Sequence, residues 1–483
     1  MSSSLKEKAV NSMVWVTVDR FGAYFLLFIS NLILARLLMP EDFGCIAMLH
    51  VFLAIADIIM HGGFGAALIQ KKNPTHLDYV SVFYVNLATS VFLYLMLFLL
   101  APYIARFYSI PLLCKVLRVQ AIVLLINSFS VVQLSILRKN LKFKAIAIRN
   151  ITSSIVGVLV CIICAIKGMG VWSLVINILV ARICGIILLW KVSDWRPTWE
   201  FSFASVKELF GFGSFMLLSS VISTIYGELQ SILVGKFFSA TDLGYVNQAK
   251  KLEGIPSGAL SSVVTQVSFP VFSKIQDDFS ALKKGMRKNV KSIQYINFPM
   301  MLLLIVIAEP LILLLYGSRW AESIPYFQIL CVSRFLGVVV PLNMSVISAK
   351  GEGVLYFVTQ LVKSIFSIVI IVLSVHHGIY ALMIALSIIP FFEFFICSVV
   401  TGRLIHYGFL NQLSDMIPTF VVAFLIAGLT YCLKYLLPCH SFVLMGAQVV
   451  FYLLFYLGMT KLLKFEAFDI YYKVLISKIK VRG

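Results

Sequence analysis

Apolar runs of about 20 residues recur from one end of this chain to the other, each long enough to carry a helix across roughly 30 Å of hydrocarbon. Lipid offers the backbone no water to bond, so a run of this length must close its own hydrogen bonds, as a helix does. The runs centre near Phe25, Ala54, Val91, Leu124, Val156, Ile178, Val221, Leu260, Leu303, Val338, Ile368, Ile388, Leu425 and Val450. The expectation is an all-α integral membrane protein of about 14 transmembrane helices. The eighth run is the least regular, interrupted by Lys250, Lys251, Glu253, Gly254 and Pro256. Of the 483 residues 60% are hydrophobic and 13% charged, whereas a soluble domain carries roughly 25% charged residues.

The formal charge of +19 would make nucleic acid a leading partner of a soluble protein, because clustered cations neutralise phosphates. Here the cations sort into alternate loops instead, and nucleic acid is excluded. Lys71 and Lys72, the group Arg138, Lys139, Lys142 and Lys144, the group Lys283, Lys284, Arg287, Lys288 and Lys291, and the tail with Lys461, Lys464, Lys473, Lys478, Lys480 and Arg482 share one side. The opposite loops hold single cations such as Arg106, Lys167, Lys236, Arg319 and Lys434. The clustered side is therefore expected to be cytoplasmic, with both termini on it. The N-terminal MSSSLKEKAVNSMVW reads as the start of a retained first span, with no small-residue cleavage site. Cys161 and Cys164 form a CxxC inside an apolar run, where two packed thiols are expected.

A repeat with an offset near two hundred residues runs through the chain. ARLLMPEDFG at 35–44 aligns with GKFFSATDLG at 235–244, so that Asp42 and Gly44 match Asp242 and Gly244. Pro102 to Tyr108 has the spacing of Pro310 to Tyr316, and GVWSL at 170–174 resembles GIYAL at 378–382. Six helices per half is an even number, so the halves enter the membrane in one orientation, and a cavity is expected between them. The expected organisation is residues 1–200 and 201–407 as two parallel six-helix bundles, and 408–483 as two appended helices with a basic tail.

Charges inside apolar spans cost about 2.5 to 3.5 kcal/mol each, so each needs a partner or a wet cavity. Arg20 lies too deep in the first helix for easy snorkelling, and adjacent Asp19 cannot face it on the same helix. Arg20 thus belongs either to an interhelical ion pair or to a cavity-lining anion contact. The repeat sets His50 opposite Lys250, so two equivalent helices offer basic groups at one depth. Lys250 and Lys251 either line a wet, anion-facing site or are lifted to the surface by a helix break near Gly254 and Pro256. Arg118, Arg182 and Arg334 lie nearer helix ends, where snorkelling is expected. Asp57 and Glu228 are buried acids that could exchange a proton, hold Na⁺, or pack against Arg20; Asp19 is a third acid of this kind.

No catalytic residue or metal site is expected. Asp277 and Asp278 read as part of a solvated charge run, and His376 with His377 lacks further ligand types nearby. Walker A, GxSxG and HExxH patterns are absent from the sequence.

ILARLLMPEDFG at 33–44, GFGAALIQKK at 63–72, LRKNLKFK at 137–144 and VGKFFSATDLGYVNQAKKLEGIP at 234–256 resemble the bacterial polysaccharide-exporter family. Its members include Wzx-type flippases, and the likeness extends to the colanic-acid-exporter subgroup over nearly the whole chain. The resemblance implies the fold of the multidrug/oligosaccharidyl-lipid/polysaccharide flippase superfamily. It also implies a cargo, a sugar repeat unit on undecaprenyl diphosphate carried outward across the bacterial inner membrane for lipopolysaccharide, capsule or exopolysaccharide assembly. Family members line their cavity with basic residues, and Arg20, Lys250 and Lys251 are the positions that match. No cofactor is expected beyond an H⁺ or Na⁺ gradient. Expected partners are the lipid-linked oligosaccharide, membrane lipids, and a polysaccharide polymerase or other synthesis-complex protein. The competing expectations are a cation-coupled multidrug antiporter, which an acidic cavity would favour, and a membrane polymerase or ligase, which would need a large outer loop.

Overall fold

The computed structural model describes Trp15, Asp19, Gly22, Ala23, residues 25–469 apart from Lys72 and 437–440, and Tyr471. Arg20 lies outside the described residues. Every extended element described is a helix: α1 (Phe25–Leu37), α2 (Pro40–His61), α3 (Phe64–Gln70), α4 (His76–Tyr108), α5 (Leu112–Gln120), α6 (Ile122–Ser128), α7 (Val131–Lys139), α8 (Phe143–Ile166), α9 (Val171–Val192), α10 (Phe203–Phe237), α11 (Ala240–Lys274), α12 (Phe279–Val306), α13 (Ala308–Tyr316), α14 (Ser323–Gly337), α15 (Val340–Ala349), α16 (Gly353–Val375), α17 (Ile379–Ile405), α18 (Phe409–Leu436) and α19 (Ser441–Leu462). Ten spans among the described residues are long and apolar enough to cross a membrane, with α14 and α15 forming one of them. Helices α5 to α7, bent by 42° between α6 and α7, make an eleventh when counted together as one span. With α1, α10 and α11 these helices occupy every span position read from the apolar runs. Helix α11 runs unbroken for 35 residues through Gly254 and Pro256, so the helix break entertained for the eighth run is not there.

The chain divides into two compact units, Met1–Asn247 and Gln248–Gly483. In the first, α8 lies along α9, and α10 packs on α2 and α4. In the second, α12 lies along α18, while α14 and α16 pack on α17.

The repeat has a structural basis at the starts of α2 and α11. Asp42 accepts the Met39 backbone N–H at 3.0 Å and Asp242 accepts that of Ser239 at 3.1 Å. Each thereby satisfies a donor left over at a helix N-terminus. Two residues further on, Gly44 sits against the backbone of Ala240 and Gly244 against that of Pro40. These four positions are matched by the repeat, so the contact is reciprocal. Gly170 and Gly378, also matched, both precede a helix with positive φ, +51° and +97°.

Prolines inside spans expose how the lipid constraint is met. Pro102 cannot donate to the carbonyl of Phe98 four residues back. Arg118 does so instead, its Nε 3.3 Å from that oxygen and its guanidinium 4.2 Å from the Phe98 ring centroid. Pro299 likewise frees the carbonyl of Tyr295, and the Tyr456 hydroxyl donates to it at 2.8 Å. Arg118 is therefore engaged within the protein rather than snorkelling to headgroups. An Arg118→Ala variant is expected to lose about 1.5 to 3 kcal/mol, the scale of a charged hydrogen bond. In a Pro102→Ala background the substituted residue brings its own backbone N–H to the carbonyl of Phe98, and the loss should shrink by half or more. A double-mutant cycle on thermal stability reads this directly, and equal losses in the two backgrounds would refute the assignment.

The bend between α6 and α7 has a similar logic. Ser128 Oγ donates to the carbonyl of Leu125 and Ser130 Oγ to that of Asn127, loosening the helix ladder at that point. The carbonyl of Phe129, at the bend itself, accepts the indole N–H of Trp190 at 2.9 Å.

Candidate functional site

In the first unit, helix α2 carries a polar stripe. His50, Asp57 and His61 follow one another at spacings of seven and four residues, which keeps them on one helical face. All three side chains are at least a third exposed. His50 Nδ1 lies 3.4 Å from Glu228 Oε1 on α10. Asp57 accepts a hydrogen bond from Asn127 Nδ2 at 2.9 Å; its carboxylate lies 3.6 Å from His61 Nδ1, which is hydrogen-bonded to the Asp57 backbone carbonyl at 2.6 Å. Two of the three acids expected to be ion-coupling thus stand beside histidines, which the sequence reading does not pair with them, and neither is buried as expected. Asp19 is placed elsewhere: its carboxylate accepts both contacts from Asn150 Nδ2, at 3.1 and 3.2 Å, on α8. Its partner is on another helix, as the helix geometry requires.

In the second unit, Lys250 and Lys251 lie on α11, both partly exposed. Lys250 is ten residues beyond the first residue of α11 and His50 ten beyond that of α2, about 15 Å along each helix. The equivalence expected from the repeat therefore holds at the level of helix register. Glu253, on the same helix, is fully buried and accepts the Nε–H of Arg334 at 2.9 Å. Sequence position alone sends Arg334 to the headgroups; the structure holds it on a buried carboxylate instead.

Arg334 owes its place to a break between α14 and α15. The last four carbonyls of a helix lack partners in the helix, and here side-chain amides of α12 take up two of them. Asn297 Nδ2 lies 3.0 Å from the carbonyl of Arg334 and 3.3 Å from that of Phe335. Gln294 Nε2 donates to Phe335 at 2.7 Å. A second amide pair, Asn343 and Gln412, exchanges two hydrogen bonds between α15 and α18 at 3.1 and 2.8 Å. Sequence reading weighed only charges and so missed these amides. Their signal was Asn and Gln inside apolar runs, where a polar side chain needs a partner as a charge does.

Elsewhere the ionic contacts tie helix ends together. Lys71 bridges Asp78 and Glu208 at 3.1 and 2.9 Å. Arg287 Nε and Nη2 grip the two oxygens of Asp415 at 2.9 and 2.8 Å, and Tyr407 donates a further bond to it. Lys363 on α16 and Glu393 on α17 lie 3.7 Å apart within the apolar layer of that unit. Cys161 is buried and Cys164 half-buried, both as free thiols.

Residues 33–325 match the model of a family described as "Polysaccharide biosynthesis protein". The teichuronic acid biosynthesis protein TuaB of Bacillus subtilis is 27% identical over 356 residues, covering 73% of this chain and 74% of that one. The succinoglycan biosynthesis transport protein ExoT of Rhizobium meliloti is 26% identical over 368 residues, covering 76% and 74%. Among solved structures, the lipid II flippase MurJ in an inward closed conformation superposes with a TM-score of 0.73 at 15% identity, over 96% of this chain and all of that one. That likeness speaks for the fold.

Proposed function

This chain belongs to the polysaccharide biosynthesis protein family, and on that premise we propose that it flips undecaprenyl-diphosphate-linked oligosaccharide repeat units across the bacterial cytoplasmic membrane. The sugars so delivered feed lipopolysaccharide, capsule or exopolysaccharide assembly. The observation that carries this reading is the basic character of the deep polar groups. Lys250 and Lys251 stand partly exposed about a third of the way along a continuous helix of 35 residues, with His50 at the equivalent register of α2. Partly exposed cations inside a span persist where an anion visits them and water can enter, and a diphosphate accepts several charge-assisted hydrogen bonds at once. Arg20, from the first apolar run of the sequence, is the fourth member of this substrate set.

The cycle we propose is alternating access, in which the headgroup is bound from the cytoplasmic side and released on the other while the prenyl tail stays in lipid. Residues 1–200 and 201–407 act as the two repeat halves, residues 408–483 as an addition to them, and both termini face the cytoplasm. Asp57 and Glu228 are the coupling acids for an H⁺ or Na⁺ gradient, with Asp19 in a supporting place. Their histidine neighbours favour the proton, since an imidazole can pass a proton to a carboxylate whereas it brings no oxygen ligand to Na⁺. A polymerase and other synthesis proteins take the product.

The test is translocation of a fluorescent polyprenyl-diphosphate saccharide by the protein in liposomes. A folded Lys250→Gln/Lys251→Gln variant should retain less than about a tenth of the rate, the loss of one or two charged hydrogen bonds to the moving group. An undiminished rate would remove both lysines from the mechanism. A cation-coupled drug antiporter, the alternative, would instead transport lipophilic cations in the same vesicles and leave the saccharide where it was.

A further inference from the structure

Arg334 is not among the residues assigned to the cargo above, yet its geometry is hard to explain by structural pairing alone. It lies eleven residues into α14, about 16 Å along the helix. Its side chain is 37% exposed while that of Glu253 is 0% exposed. An arginine at this depth does not turn its exposed part to hydrocarbon, so the open part faces a polar space.

The way the pair is joined is more telling. An arginine that ties two helices often grips a carboxylate with two parallel N–H groups, satisfying both oxygens, as Arg287 does with Asp415. Here a single bond joins Nε to Oε1, and Glu253 Oε2 is buried without a hydrogen-bond partner. Among the described residues, Nη1 and Nη2 of Arg334 take part in no hydrogen bond. The inner nitrogen is anchored and the outer fork is left open. Guanidinium can hold both roles at once because its five donors point in fixed directions from one plane, which lysine cannot imitate.

We infer that Arg334, anchored from behind by Glu253, is an anion-binding residue whose outer fork takes a phosphate group; as a contact for the lipid-linked cargo this rests on the function proposed above. Lys250 stands three residues before Glu253 on α11, a spacing that puts a second cation on the helical face that carries Glu253. The break after α14, pinned by Asn297 and Gln294, fixes the backbone from which the fork projects. Glu253 is a positioning residue, since it touches Arg334 and not the ligand.

Phosphate could reach this fork as the diphosphate of a lipid-linked sugar, as a phospholipid headgroup, or as a free ion. Binding is measured on the full chain in phosphatidylcholine nanodiscs, titrated with sodium pyrophosphate and read by thermal unfolding. Wild type should be stabilised by pyrophosphate, and Arg334→Lys less so. The neutral pair Glu253→Gln/Arg334→Gln keeps the shape of the contact with no buried charge left unpaired, so it remains foldable where Arg334→Gln alone is not. It should bind about tenfold to a hundredfold more weakly. Orthophosphate binding as tightly as pyrophosphate would identify a single-phosphate site, and phosphatidylglycerol in the disc competing with pyrophosphate would identify access from the bilayer; either result supports a phosphate site. Wild type that ignores pyrophosphate, or a neutral pair that binds it as tightly as wild type, overturns the inference. Pyrophosphate binding without saccharide translocation would leave the site standing and defeat the proposed cargo, so the two failures are distinct.

Discussion

An Arg334→Leu variant is expected to lose about 3 to 5 kcal/mol of stability, the cost of stranding a buried carboxylate without its counter-ion. Glu253 has no exposure to water, and Arg334 Nε is its only hydrogen-bond donor on either side-chain oxygen among the described residues. The charge therefore has nowhere to go when the guanidinium is removed. The same reasoning says that removing both charges costs less, because no buried charge is then left unpaired and only a neutral amide lacks a partner. Glu253→Gln/Arg334→Leu should lose only about 1 to 3 kcal/mol, the cost of one buried unpaired amide, whereas Arg334→Leu alone should be poorly inserted or unfold much earlier. Equal losses in the single and double variants would show that the pair does not hold α11 to α14 through its charges.

The second large effect is expected at the reciprocal glycines. A Cβ on Gly44 would stand 1.7 Å from the carbonyl oxygen of Ala240, and one on Gly244 would stand 2.0 Å from that of Pro40. Both obstacles are backbone, so no side chain can swing aside, and the helices themselves must part. Overpacking of this kind costs typically 1 to 3 kcal/mol, and these distances put Gly44→Ala and Gly244→Ala at or above about 3 kcal/mol. Gly428→Ala is the control: nothing lies within 4 Å of its added Cβ, and alanine in a helix interior should be neutral or stabilising by up to about 1 kcal/mol. Thermal midpoints of the three variants decide the matter. Gly44→Ala behaving like Gly428→Ala would mean that α2 and α11 do not meet as closely as described.

These two cases also mark what could be read before any coordinates. The spans were legible because lipid imposes a length and an apolar composition on each, and even the irregular eighth run proved to be a continuous helix in α11. The repeat was legible because Asp42 with Asp242 and Gly44 with Gly244 each perform a local task, capping a helix or allowing a close approach, that only a few residue types can perform. Charge partners were another matter. Pro102 announces a free carbonyl, but nothing in the local sequence says that Arg118 supplies the donor. Glu253 and Arg334 are 81 residues apart, and their meeting depends on where α14 ends, which is set by amides on α12. The histidine partners of Glu228 and Asp57 divide the same way. His61 follows Asp57 by one helical turn and could have been read from spacing, whereas His50 meets Glu228 only through the packing of α10 on α2.

The central claim is that the cargo is recognised by its diphosphate. Translocation in liposomes of two synthetic glycolipids, identical in sugar and polyprenyl chain but joined by a diphosphate in one and by an uncharged ether in the other, measures this most directly. The account predicts rapid movement of the diphosphate compound and, for the ether, no movement above protein-free vesicles. Equal rates for the two would contradict it.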